Sequence, residues 1–205
     1  MPRVKVPRKS TAVDMTAMCD VAFLLLTFFI LTATSRQPDP LEVKIPSSTV
    51  QAKMPDKDLT ILTVGKGKVF IEMIGQDVKK LTLQKMATLY NTSFTPEQYT
   101  RFGVIGSFGV PMNRLGSFIN MNGDERTKSG FETGIPTDST VNGELFLWIR
   151  EARYASEELH NAKMRVSIKG DGDEQYKNMR DIISVLQKQE INTFSLITSA
   201  EAARK

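Results

Sequence analysis

An aspartate beside a long apolar run is the residue of this sequence whose type and position best support chemistry. Asp20 precedes Val21–Ala33, a run without charge whose two polar residues are both threonines. A carboxylate inside a membrane helix costs about 2.5–3.5 kcal/mol at the centre and less near the end. The neutral acid tolerates an apolar surrounding, whereas the carboxylate requires water or a hydroxyl partner, so the side chain can act as a proton switch. A proton that passes such a site delivers about 2.3 kcal/mol per 100 mV of membrane potential.

A single membrane-spanning helix is predicted to carry Asp20. Met15–Thr34 contains 20 residues, and a helix of this length spans roughly 30 Å, the thickness of the hydrocarbon layer. No later segment approaches this length of apolar sequence, the next best being Leu145–Ile149. Four basic residues precede the span: Arg3, Lys5, Arg8 and Lys9. By the positive-inside rule, residues 1–13 are expected in the cytoplasm and residues 36–205 outside it.

Two simpler interpretations of this segment stay open. The first is a cleaved signal peptide, since Val21–Ala33 has the length of an apolar signal region and Ala33-Thr34-Ser35 offers a cleavage site. Asp20 argues against it, because a signal peptide has no use for an acid at this place. The second is that Asp20 only snorkels to the cytoplasmic interface, about 8–9 Å away along the helix. A lone helix in lipid also provides no water path, so a proton role for Asp20 requires a polytopic or oligomeric partner.

Three further residues near Asp20 are weaker candidates for the same site. Thr16 and Thr27 could line a pore, although hydroxyls in membrane helices often bond only to their own backbone. Asp14 lies six residues before Asp20, a net rotation of about 240° around a helix, so the two acids do not share a face. Asp14 is therefore expected at the interface or as a helix cap, and whether it titrates stays open.

The composition argues against several other classes of function. The chain holds 27 Lys and Arg against 23 Asp and Glu, and residues 36–205 hold 23 against 21, which is too balanced for a face that binds nucleic acid. One cysteine, Cys19, excludes an internal disulfide, and one histidine, His160, argues against a zinc site or a Ser-His-Asp triad. No metal or cofactor is expected. The turn Gly65–Lys68 lacks the spacing of a phosphate-binding loop, and Gly170–Glu174 lacks that of a calcium loop.

The segment that follows the span is predicted to be an extended linker. Residues 36–58 hold four of the nine prolines, which block helix formation and stiffen the chain: Pro38, Pro40, Pro46 and Pro55. Within it Leu41, Val43 and Ile45 alternate with charged residues, the pattern of a half-buried strand. Such a strand could pair with a sheet edge of this chain or of a neighbouring copy, so these residues together with Pro46 are candidates for partner binding.

Residues 59–198 are predicted to form an α+β domain, with a sheet of about five strands, two helices on one face and a helical insertion. The pattern predicts a hairpin of 59–64 and 69–74, a strand at 164–169, and helices at 143–159 and 173–189 with Asp173 near an N-cap. Trp148 is expected in the core. Helical pieces and breaks at about 81–136 predict an inserted helical subdomain, in which 122–136 is an exposed polar loop. Residues 199–205 are expected to be a tail.

The residues around Asp20 resemble the ExbD/TolR family, the single-pass subunits of proton-driven inner-membrane motors. The family signature is Asn-x-Thr-Pro-x-x-Asp followed by an apolar run, after a basic N-terminus. Thr16 and Asp20 match it, whereas Asp14 stands for the usual Asn and Ala17 for the usual Pro. These departures add an acid near the pore mouth and remove a helix-start signal, which allows a different entry geometry. The segment Leu41–Ser48 is similar to the extended segment of the family.

A second part of the resemblance lies near the C-terminus. Val166–Asp171, Tyr176 and Met179–Leu186 resemble the strand, Asp-x4-Tyr and helix of the family, and Phe194–Thr198 resembles its closing strand. The resemblance covers roughly residues 1–75 and 141–198, and the middle of the chain looks like an insertion.

The resemblance implies a motor subunit of energy transduction and not an enzyme. Two copies would pass their helices through the pore of an ExbB-like pentamer in the inner membrane, where Asp20 would take up and release the coupling protons. The domain would lie in the periplasm, dimerise and couple to a TonB-like protein that opens outer-membrane transporters. A TolR-like role in outer-membrane maintenance or a motility motor would use the same proton chemistry. A signal-anchored periplasmic binding module is the alternative of another class, and it predicts that Asp20→Asn is silent.

Overall fold

The structure of the protein is a computed structural model that describes residues 15–32, 41, 43–48, 55, 57–128, 130–137, 142–172 and 174–200. The chain divides into two compact units, Met1–Arg36 and Gln37–Lys205. We call the second unit the C-terminal domain and describe each unit by itself.

The described part of the first unit is one apolar helix, α1 (Met15–Thr32). Its 18 residues have a mean hydropathy of 2.0, and among the described helices it alone is long and apolar enough to cross a membrane. At about 1.5 Å per residue it is about 27 Å long, close to the thickness of the hydrocarbon layer. None of its side chains is buried within the structure, so its apolar surface is left for lipid or a partner protein.

The C-terminal domain is of the α+β class, as predicted. In chain order the elements are β1 (Ser47–Ser48), β2 (Leu59–Gly65), β3 (Lys68–Met73), α2 (Gln76–Leu89), α3 (Pro96–Val104), α4 (Met112–Asn120), α5 (Gly123–Lys128), α6 (Glu144–His160), β4 (Arg165–Gly170), α7 (Tyr176–Lys188), β5 (Ser195–Leu196) and β6 (Ser199–Ala200). Helix α2 packs against α3 and α6, and α6 also contacts α7.

The main sheet has the strand order β3-β2-β4-β5. The pair β2 and β3 is antiparallel, whereas β4 runs parallel to both β2 and β5. The predicted hairpin is confirmed, and both residues of its turn, Lys66 and Gly67, have positive φ (52° and 70°). Two left-handed residues give a tight turn whose twist matches that of the strands. Strand β2 is buried along nearly its whole length, as expected for a central strand with a parallel neighbour.

The main sheet has four strands in the described residues, not the five that the sequence predicted. The predicted strand at Leu41, Val43 and Ile45 is wrong in this chain, because residues 43–46 have no regular structure and the strand β1 begins only at Ser47. Side chains of this segment pack on the domain, and the Lys44 carbonyl accepts a hydrogen bond from the Gly172 amide (2.9 Å). β1 instead pairs in parallel with β6 in a separate two-stranded sheet.

Residues 81–136, which were predicted to be an insertion and keep that name below, are helical as predicted, but they are not a separate subdomain. Phe108 exchanges two backbone hydrogen bonds with Ile71 of β3 (2.9 and 3.0 Å), and the Ile135 amide donates to the Val69 carbonyl (2.9 Å). The insertion thereby covers the outer edge of β3, which would otherwise expose unpaired backbone groups. Its buried side chains belong to the same core as those of the sheet.

The predicted place of Trp148 in the core is confirmed, since its side chain is fully buried. Its ring centroid lies 6.1 Å from that of Phe102 and 5.1 Å from that of Phe108. Both phenylalanines come from the insertion, so this aromatic cluster joins α6 to α3 and to the segment before α4. Each such contact contributes about 0.5–1.5 kcal/mol beyond area burial.

Two predictions of exposure and burial are wrong. The segment 122–136, predicted to be an exposed polar loop, contains α5, and its Glu132, Gly134 and Ile135 are buried, because this part of the chain returns to pair with β3. Tyr176, predicted on the buried stripe of the last helix, is 79% exposed, because α7 begins only at Tyr176 and turns Ile182 to the core.

Some predictions fall on residues outside those that the structure describes. These are the tail 1–13, Asp14, most of the linker 36–58 with Pro38 and Pro40, Asp173 and residues 201–205. Of the predicted tail 199–205, the first two residues, Ser199 and Ala200, form β6. The N-cap of α7 is Gln175.

Candidate functional site

Helix α1 places three of the predicted site residues on one face. At about 100° per residue, Thr16 lies about 40° and Thr27 about 20° from Asp20 in rotation around the helix axis. Asp20 is the one acidic residue of α1, and the helix has no basic residue. The hydroxyls therefore stand along the same line as the carboxyl, one turn before it and two turns after it. The shared face is not among the predictions from the sequence, although spacings of four and seven residues from Asp20 encode it.

The hydroxyl of Thr27 already has a hydrogen-bond partner in its own helix. Its Oγ1 donates to the Leu24 carbonyl at 2.9 Å, and Thr32 bonds in the same way to the Phe28 carbonyl at 2.7 Å. This confirms the expectation that membrane hydroxyls bond back to their own backbone. With its proton used, the Thr27 oxygen can still accept a hydrogen bond from water or from a protonated carboxylic acid.

The predicted partner-binding residues lie in the C-terminal domain and dock onto it. Leu41 is buried, Val43 and Ile45 are half-buried and Pro46 is exposed. An added Cβ at Gly65 would lie 2.8 Å from Val43 Cγ1 and 2.9 Å from Leu41 Cδ2, so the absence of a side chain on β2 makes room for this segment.

The docked segment borders an open cavity of about 1040 Å³. Its wall carries both signs of charge, with Lys66 and Lys169 beside Asp171 and Glu174. Glu174 accepts hydrogen bonds from the Gly67 amide (3.1 Å) and from Asn178 Nδ2 (2.6 Å). The turn Gly65–Lys68 thus uses the Gly67 amide to hold Glu174, which also accepts a hydrogen bond from Asn178 of α7.

A cluster around His160, the one histidine of the sequence, is not among the predictions from the sequence. His160 Nδ1 lies 2.5 Å from Asp58 Oδ1, and its Nε2 lies 2.9 Å from Asp77 Oδ2. The three residues are separated by 102 and 83 positions, so no local spacing could have indicated them. The buried Ser156 donates to the same Asp58 oxygen (2.8 Å) and not to His160, which is not the arrangement of a Ser-His-Asp triad.

Comparison with known proteins decides the family. A sequence model of the family described as "Biopolymer transport protein ExbD/TolR" matches residues 7–201. The chain belongs to the ExbD/TolR family. No curated protein and no solved structure matches this chain. The match includes residues 81–136, the range that the sequence predicted to be an insertion in this ExbD/TolR protein.

Family membership gives this chain a general role. ExbD/TolR proteins are non-enzymatic subunits that serve the energy supply of biopolymer transport in a membrane complex. Membership and the one apolar helix α1 together fit a single-pass protein of the inner membrane. The helix α1, the one described element that can span the membrane, is therefore where a coupling residue is to be sought.

Proposed function

We propose that this protein is an ExbD-like subunit of an inner-membrane motor driven by the proton-motive force, and that Asp20 binds the proton. The single observation that carries the proposal is the face of α1, on which one carboxyl stands in line with the hydroxyls of Thr16 and Thr27 on a largely apolar helix. Leaving a carboxyl there costs free energy in lipid. The cost is offset where a partner supplies water or polar groups to the same face.

The partner in this proposal is an ExbB-like pentamer, whose pore receives the helices of two copies of this chain. The pore wall gives Asp20 access to protons from one side at a time. Protonation removes the charge and lets the face lie against apolar side chains, whereas deprotonation turns it towards polar ones. Alternation between the two positions converts proton flow into rotation or displacement of α1.

In this proposal, the basic residues before α1 determine the orientation of the chain in the membrane. The basic tail before α1 stays in the cytoplasm and the C-terminal domain lies in the periplasm. There it dimerises and couples to a TonB-like protein that opens transporters of the outer membrane. In this proposal the segment between α1 and β2 transmits the motion, and the partner engages it at Leu41, Val43 and Ile45.

The test replaces the chromosomal gene by three variants and measures uptake across the outer membrane with and without a protonophore. Asp20→Asn keeps the shape and removes the titratable group, so we expect the protonophore-sensitive uptake to be lost at unchanged membrane abundance. Asp20→Glu keeps the acid and is expected to retain a measurable part of the uptake. Glu157→Gln is the control, because it removes an exposed carboxyl from the C-terminal domain and not from α1, and it is expected to retain most of the uptake.

The opposite outcome is equally clear. Full protonophore-sensitive uptake in Asp20→Asn cells, at normal abundance of the protein, would sink the proton role of Asp20. A mature protein that begins near Ser35, found by N-terminal sequencing, would instead identify α1 as a signal peptide.

A further inference from the structure

The histidine cluster joins three elements of the C-terminal domain that are distant in sequence. Asp58 lies directly before β2, Asp77 lies in the first turn of α2, and His160 ends α6. The Asp58 carbonyl accepts a hydrogen bond from the Arg165 amide at the start of β4 (2.8 Å). The cluster therefore stands where the chain enters the sheet, at the last residue before its central strand.

The geometry sets the protonation state of the imidazole. A carboxylate can only accept a hydrogen bond, and a neutral imidazole has one ring N–H to donate. His160 meets a carboxylate at each of its two nitrogens, so both bonds exist together only in the doubly protonated, cationic ring. If the ring is neutral, a nitrogen lone pair faces a carboxylate and that contact becomes repulsive.

We propose that His160, Asp58 and Asp77 form a proton-sensitive clasp, which ties the start of β2 and the start of α2 to the end of α6 when the imidazole is protonated and releases one of them when it is not. The clasp goes beyond the proposed function, since it uses no residue of α1 and holds whether or not Asp20 carries protons. The clasp would make the attachment of the starts of β2 and α2 to α6 depend on the pH around this domain.

The surrounding charges favour the cationic ring. The hydrogen bond to Asp58 is the largest cause that raises the pKa of His160 above 6.5, and the hydrogen bond to Asp77 is the second. The C-terminus of α6 adds its partial negative charge to the same effect. On neighbouring positions, Glu157 and Glu158 precede His160 on α6, Lys57 precedes Asp58, and Lys163 follows the helix. On α2, Lys85 bonds to Glu158 at 2.8 Å and so partly balances that charge.

The pKa values of Asp58 and Asp77 are both lowered, which complements the raised pKa of His160. Partial burial raises the pKa of Asp58, but hydrogen bonds from His160 and Ser156 outweigh it and the net pKa is below 3.8. The hydrogen bond from the Val78 amide is the largest cause that lowers the pKa of Asp77, and the bond from His160 lowers it further. The two carboxylates therefore contribute to the stability of the domain above about pH 4, and this contribution is lost as the pH falls. The contribution of protonated His160 to the stability of the domain is complete below about pH 6.5. It is lost as the pH rises through the raised pKa of His160.

The first experiment follows the ring itself in the full-length protein, reconstituted in lipid nanodiscs with a histidine-free affinity tag. The chain has one histidine, so carbon-13 labelling of histidine gives a single imidazole signal to titrate by NMR. We expect its midpoint above pH 6.5, and lower in Asp77→Asn, which removes an exposed partner. Glu157→Gln, the matched loss of a carboxyl one turn earlier on α6, is expected to shift it less than Asp77→Asn does. A wild-type midpoint at or below 6.5, or one that Asp77→Asn leaves unmoved, overturns the clasp.

The second experiment measures what the clasp holds. Amide hydrogen exchange is compared at pH 6 and pH 8, corrected for the intrinsic pH dependence, at Arg165 and at Lys79, whose amide donates to the Gly75 carbonyl (3.2 Å). We expect several-fold greater protection at pH 6 in the wild type and no such difference in His160→Gln. Trp148 fluorescence shows that each variant is folded. The same pH dependence in His160→Gln as in the wild type would mean that the cluster is only a static contact.

Discussion

Among single residues, Glu132 is a buried carboxyl whose ionisation lowers the stability of the C-terminal domain. Its residue is 9% exposed, and burial raises its pKa to about 7, against the opposing effects of the Gly109 amide, Arg126 and Lys68. Because the acid ionises more easily in the unfolded chain, where its pKa is 4.5, stability is lost as the pH rises from 4.5 to 7 and stays lost above it.

We therefore predict that Glu132→Gln stabilises the domain above pH 7, by at most about 3 kcal/mol, and that the gain shrinks towards zero at pH 4.5. The measurement is urea unfolding of the full chain at several pH values, followed by the fluorescence of Trp148, the one tryptophan of the sequence. Glu157→Gln, which removes an exposed carboxyl, serves as the control. A gain that is equal at pH 4.5 and pH 8.5 would contradict an ionisation effect.

At the scale of elements, the segment between α3 and α4 depends on a glycine that lies against an aromatic ring. A Cβ added at Gly109 would stand 2.4 Å from Phe70 Cδ1, and the Phe70 side chain is buried in the core, where a displaced ring would have to repack its neighbours. Gly106 is in the same segment, and a Cβ there would meet nothing within 4 Å. The two glycines are thus a matched pair for one substitution.

We predict that Gly109→Ala destabilises the domain by about 1–3 kcal/mol, because the added methyl group overpacks the junction between the insertion and β3. Gly106→Ala is expected to change stability by less than about 0.5 kcal/mol. Urea unfolding followed by Trp148 fluorescence measures both, and Phe108, next to Gly109, contacts that ring directly (5.1 Å between centroids). Equal effects of the two substitutions would show that the insertion is not fixed to the sheet edge.

These elements also show what the sequence could and could not predict. The hairpin of β2 and β3 and the helix α6 follow from local periodicity and from turn residues that lie side by side. Asp20 is visible because an acid beside an apolar run is a local anomaly. The pairing of Phe108 and Ile135 with β3, and the contact of His160 with Asp58, join residues far apart in the chain, and no short pattern encodes them. The predicted fifth strand failed because alternation alone does not provide a partner strand.

Across the whole chain, the hydrophobic core of the described residues lies in the C-terminal domain. The buried hydrophobic residues of the described chain lie between Leu41 and Ile191, and α1 contributes none. Hydrophobic burial is the main favourable contribution to folding. The stability of the C-terminal domain should therefore not depend on the helix that would carry proton chemistry.

We predict that a fragment of residues 37–205 folds by itself, with a free energy of unfolding within about 0.5 kcal/mol of that of the domain in the full chain. Trp148 reports the transition in both proteins, so the same urea titration compares them directly. A fragment without a cooperative transition, or one weaker by well over 1 kcal/mol, would show that α1 or the tail before it supports the domain. If the fragment is stable, loss of uptake in Asp20→Asn cells cannot come from unfolding of this domain, and the helix and the domain can be tested as separate parts of one motor subunit.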